Sequence, residues 1–253
     1  MIYDESVAWM CYLHFSCELS LSRRSQFKHR ELVLAIYRLS GRIASDLYAV
    51  RNLVCCGLEP AARVVLRSAM EHVDTASLLL LTPDRASDFM STNDPLAGNA
   101  FWHRHLSKEK LRNTIRHYFN SLDEDMAAEL LAHREHRNFL YGVAVHPSVY
   151  TCDMSLFSPE AMKRATKHIG IGYPTDISCN TLHDAIWSVF EFGIILKKQV
   201  VDPIAAREAF FRRGVDPFFR NVVREGPSVF FAILRTVNHP SMETTYHDLI
   251  GPS

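Results

Sequence analysis

FKHRELVLAIYRLSGRIASDLYAVRNLVCC (27–56), GLEP (57–60) and AARVVLRSAMEHVDTASLLLL (61–81) form the stretch that decides the fold. In the first piece Leu32, Ile36, Leu39, Ile43, Leu47, Val50 and Val54 recur at threes and fours, the period of one apolar helix face. From Phe27 to Cys56 this predicts a helix of roughly 45 Å at the usual rise per residue. Gly57 ends it, and Pro60 suits the first turn of the next helix. The third piece is apolar around most of its circumference, which predicts the central and most buried helix. So short a connection makes the two an antiparallel αα-hairpin.

Outward from the hairpin, the pattern stays helical. A polar loop is expected over Thr82–Asn99, followed by helices at about 100–119 and 122–144, the second favoured at its start by Asp123, Glu124 and Asp125. Pro147 stops that run. SPEAMKRATKHIG (158–170) carries a Ser-Pro-Glu helix start, and Asn180–Val201 is a strongly apolar helix containing Trp187, Phe190 and Phe192. Beyond Asp202 the prolines and glycines break the chain into short pieces rich in phenylalanine. The expectation is an all-α protein: an antiparallel helical bundle over 1–201 and a C-terminal helical appendage over 202–253.

With 253 residues, 47% of them hydrophobic, the chain has ample material for a core. Its formal charge is zero, so no global basic field drives binding to nucleic acid, and any phosphate site must be local. Acids near the N-terminus and the lack of a long uninterrupted apolar run predict a cytoplasmic protein without a membrane span. Cys11, Cys17, Cys55, Cys56, Cys152 and Cys179 show no paired CxxC spacing and read as reduced thiols. GxGxxG, GxxxxGK[ST], HExxH and GxSxG are all absent, which disfavours the common nucleotide, P-loop, zinc-protease and hydrolase chemistries.

Chemistry concentrates between His103 and His146, where six of the 13 histidines fall, interleaved with arginine as HRH (103–105), RNTIRH (112–117) and HREHRN (133–138). Imidazole exchanges protons near neutral pH and guanidinium grips phosphate, a pairing suited to a phosphodiester. His133 and His136 sit three apart, with His103 and His105 as further nitrogen donors. No clean i,i+4 histidine pair accompanies them, so no metal and no cofactor is expected.

Arg112-Asn113-Thr114-Ile115-Arg116-His117 on a helical bundle resembles the HEPN (higher eukaryote and prokaryote nucleotide-binding) superfamily, whose signature is an arginine followed by four to six residues and a histidine. The resemblance covers about residues 27–201. It implies a metal-independent endoribonuclease of a toxin or phage-defence system, acting on RNA, with a homodimer or a partner protein of the same system. Arg112 would hold the scissile phosphate, Asn113 would be its polar neighbour and His117 would transfer the proton.

A second set resembles uncharacterised bacterial HEPN-related helical proteins: Arg67-Ser68-Ala69-Met70-Glu71 after Glu59-Pro60-Ala61-Ala62, then Tyr141 and His146-Pro147-Ser148. It implies that Arg67, Glu71 and His146 converge inside the bundle. Spacing alone gives the other reading, a same-face ion pair of Arg67 with Glu71. Arg137 and Asn138 lie upstream of His146, with Asn138, Gly142 and His146 on one face, and complete the candidate phosphate-binding set with Tyr141. The alternative to an enzyme is a non-catalytic interaction or ligand-sensing module. A nuclease requires arginine and histidine side by side in an open electropositive groove, and a module disperses them.

Overall fold

The computed structural model describes residues 2–22, 29–107, 109–122, 124–144, 176–204 and 210. Among them the chain is all-α, with eight α-helices and no strand. The helices are α1 (Ile2–Ser22), α2 (Arg30–Cys55), α3 (Glu59–Leu81), α4 (Ala86–Met90), α5 (Pro95–Phe101), α6 (Glu109–Phe119), α7 (Glu124–Ala144) and α8 (Asp176–Leu196).

The α2–α3 hairpin forms as its sequence predicts. Gly57 takes φ 65°, a left-handed conformation that glycine adopts without a Cβ clash. Its N–H donates to the Val54 carbonyl at 2.9 Å and the Leu58 N–H to the Leu53 carbonyl at 2.8 Å, the paired bonds that close a helix C-terminus before a reversal. The α2 stripe from Leu32 through Ile36, Leu39, Ile43 and Leu47 to Val54 is buried. A polar staple joins the two helices: Ser68 Oγ donates to the Asp46 carboxylate at 3.2 Å, and Arg42 pairs with the same group.

α1 packs on α2, and its buried Tyr3, Ser6, Met10, Leu13 and Cys17 follow the helical three-four rhythm. The Tyr3 hydroxyl donates to the Leu47 carbonyl at 2.6 Å, and the His14 ring stacks on Tyr37 with centroids 4.2 Å apart. α3 touches α2, α6, α7 and α8, so it is central in connectivity. The most continuously buried described helix is nevertheless α8, where every residue from Asp184 to Leu196 is buried. The N-terminal half of α3 still shows Val64 to solvent, because α7 and α8 cover one side of it only.

The expected loop at 82–99 contains structure. A 3₁₀ turn (Pro83–Arg85) leads into α4, and Asp94 caps α5 by accepting the Leu96 and Ala97 N–H groups at 2.8 and 2.9 Å. The single helix expected at 100–119 is divided at Ser107, behind a π-helical turn over Trp102–Leu106. The Lys110 ammonium donates to the carbonyls of His103 and Arg104, both at 3.0 Å, and so satisfies that turn's end. α8 runs on into a second π turn at Lys197–Val201. The expected helix at 158–170 and most of the expected appendage lie outside the described residues. Phe210 is described and buried, its carbonyl accepting the Ser20 hydroxyl of α1. Among the described residues no helix is long and apolar enough to cross a membrane.

Candidate functional site: the polar seam between α7 and α8

Two polar stripes face each other where apolar packing is the norm. On α7, Arg134, Arg137 and Tyr141 are three and four apart and all buried. On α8, Asp184, Ser188 and Glu191 repeat that spacing on an otherwise apolar helix, also buried. Burying so much charge requires counter-charge, and the two stripes supply it to one another.

At the bottom of the seam, Arg137 is wholly enclosed. It donates to Glu191 through Nη1 and Nη2, both at 3.3 Å, and to Ser188 Oγ at 2.8 Å. Arg134 donates to Glu191 Oε2 at 3.0 Å and, through its other nitrogen, to Asp74 of α3. Burial opposes the Glu191 carboxylate, yet Arg137, His133 and Arg134 outweigh it and hold its pKa at about 2.

Nearer the surface stand two imidazoles and a second carboxylate. Asp184 Oδ2 accepts the Tyr141 hydroxyl at 2.9 Å, while Oδ1 faces His133 Nε2 at 3.6 Å. His133 lies between two acids, its Nδ1 being 3.7 Å from Glu191 Oε1. Burial disfavours its imidazolium, but Asp184 and Glu191 overcome that and raise its pKa above the ordinary value. Burial and Asp184 raise the Tyr141 hydroxyl well above the usual phenol range. The His133 ring stacks on Trp187 with centroids 4.6 Å apart, and Trp187 Nε1 donates to His183 Nε2 at 3.1 Å. His133, His183 and Asp184 offer ligand atoms within 4.8 Å of one another. His133 therefore meets α8, a neighbour distant in sequence.

The residues nominated from sequence fall in three places. Arg137 and Tyr141 belong to the seam, while Asn138 is exposed beside it. Arg112, Asn113 and His117 lie exposed on α6, where Arg112 is paired with Glu109 and Glu135, and Arg116 with Glu135 at 2.9 Å. Five positions apart on an unbroken helix, Arg112 and His117 are turned roughly 140° from one another. Arg67 and Glu71 form the same-face ion pair at 3.2 Å, with side chains 41% and 57% exposed. His146 lies outside the described residues. Arg134, His183, Asp184 and Glu191 were not among the residues nominated from sequence; the signal for Asp184 and Glu191 was a polar stripe inside an apolar helix.

An open cleft of about 450 Å³ lies elsewhere, lined by His29, Arg30, Leu32, Asp84 and their neighbours, and contains none of the seam residues. Comparison with protein-family models, curated proteins and solved structures gives no match for this chain.

Proposed function

We propose that the protein is a non-catalytic ligand-sensing module whose ligand site is the outer, imidazole-bearing part of the α7–α8 seam. One observation carries this reading: each described arginine nominated as a phosphate grip is already matched by a carboxylate. Arg67 has Glu71, Arg112 has Glu109 and Glu135, and Arg137 has Glu191. An open electropositive groove with a guanidinium beside an imidazole is the nuclease requirement, and these pairs neutralise it. His133 and His183 are instead half-buried, backed by acids and aromatic rings, in the manner of a small polar site with an apolar wall.

A second reading is endoribonuclease action in a toxin or defence setting. Its specific support is His133, whose carboxylate neighbours favour an imidazolium beside His183, an acid and base for 2′-OH attack on a phosphodiester. Both readings carry a cytoplasmic setting and a homodimer or partner-protein complex. Phe139, 67% exposed on α7, supports such a contact.

The test pairs two measurements on the full chain. Thermal midpoints are recorded against a panel of divalent cations, nucleoside phosphates and short RNA, for the unaltered protein and for His133→Gln. Labelled RNA is incubated with the same proteins and with Arg112→Ala, His117→Ala and His146→Ala. The expected result is a midpoint raised by a panel member in the unaltered chain only, with RNA left whole. RNA cut by the unaltered chain and spared by a variant transfers the protein to the second reading.

A further inference from the structure

We propose that the seam coordinates one divalent first-row transition-metal ion through His133, His183 and Asp184, held in place by Glu191 and Tyr141. This rests on the ligand-site reading above and names the ligand class.

The spacing is the first reason. His133 Nε2 and Asp184 Oδ1 stand 3.6 Å apart, beyond hydrogen-bond range. Two donors sharing one tetrahedral ion at bond lengths of about 2.0–2.2 Å are roughly 3.3–3.6 Å apart. All three donor atoms lie within 4.8 Å of one another, a cluster that small side-chain rotations would draw onto one ion.

The surroundings are the second reason. A ligating histidine ordinarily gives its other N–H to a carboxylate, and His133 Nδ1 faces Glu191 at 3.7 Å, buried and with no hydrogen bond yet made. Placing the proton on Nδ1 leaves the Nε2 lone pair toward Asp184. The Tyr141 hydroxyl occupies Oδ2 of Asp184, which leaves Oδ1 for the ion. Arg134 and Arg137 immobilise Glu191 in turn, so the supporting shell is rigid before any ion arrives. Asp184 itself has no guanidinium within ion-pair reach among the described residues, unlike Glu191. The indole N–H donates to His183 Nε2, which therefore carries a lone pair.

Two imidazoles and one carboxylate suit zinc, cobalt or iron better than magnesium or calcium, which favour all-oxygen sites. They also leave room for water on the ion.

The probe is Co2+, followed by its visible d–d absorption on the untagged, metal-stripped full chain, with Zn2+ in competition. One equivalent is expected. Asp184→Asn and His183→Gln should each weaken binding at least about a hundredfold, and Tyr141→Phe about ten- to a hundredfold, since it removes only support. His117→Ala, exposed on α6, should bind normally. Circular dichroism checks that each variant is folded; if Asp184→Asn is not, His183→Gln at its half-buried position decides. Failure of the folded, unaltered chain to take up Co2+, or uptake unchanged in His183→Gln, overturns the proposal. A thermal response to a nucleoside phosphate and to no cation removes the metal but keeps the seam as a ligand site, whereas RNA cleavage removes that underlying reading.

Discussion

Arg137 and Glu191 meet fork to fork with neither side chain in contact with solvent, at 0% and 2% exposure, two 3.3 Å bonds joining α7 to α8. Such a pair is hard to undo from one side. Glu191→Gln leaves two guanidiniums, those of Arg134 and Arg137, buried without their shared anion. A loss of about 3–5 kcal/mol is expected, read as a lower urea midpoint at unchanged slope.

Acid should dismantle the seam in a defined window. The Glu191 carboxyl has an ordinary pKa of 4.5 and is held at about 2 in the folded protein. Its contribution is therefore full above pH 4.5 and is lost as pH falls from there toward 2. His133 works in the opposite sense, because its folded pKa is raised above 6.5. Its contribution is full below 6.5 and fades as pH rises through the raised value. Urea midpoints measured across pH should fall on both sides, and His133→Gln should flatten the alkaline side and, because His133 also helps hold the Glu191 carboxyl low, soften the acid side.

Glu135 gathers Arg112 and Arg116 on the exposed face between α6 and α7. Hydrogen bonds from both arginines lower its carboxyl pKa. Exposed pairs of this kind are screened by water and salt. Glu135→Ala should leave the urea midpoint within error of the unaltered chain. By releasing two guanidiniums it should also tighten retention on an immobilised RNA column at low salt, an effect that disappears as salt is added.

The α2–α3 turn gives a backbone prediction. At φ 65°, Gly57 occupies a region where a Cβ costs about 1–2 kcal/mol. Gly57→Ala should lower stability by that amount in urea unfolding, with an unchanged far-ultraviolet helical spectrum, because both helices survive the strained turn.

The all-α architecture and the hairpin were legible because their causes are local. Leu32 to Val54 repeat with the helix period, and Gly57 and Pro60 punctuate the chain whatever surrounds them. Asp94 before Pro95 was an equally local cap, hidden in a composition that also describes a loop. The candidate site was half legible. Arg137 and Tyr141 stood out on α7, whereas Asp184, Ser188 and Glu191, polar residues in an apolar run on α8, did not stand out from the apolar pattern around them.

By itself, then, the sequence determined the all-α class and the long helices with the punctuation of the α2–α3 hairpin, since these follow from spacing and backbone preference within a turn or two, but not the short helices of 82–101 or the break at Ser107. Only the tertiary structure decided that Arg134 and Arg137 would share Glu191 and that His133 would meet His183 and Asp184. About 50 residues separate those partners along the chain. Which polar stripe faces which depends on how α3 seats α7 against α8, and the cost of burying an unmatched charge selects that pairing among many with the same periodicity.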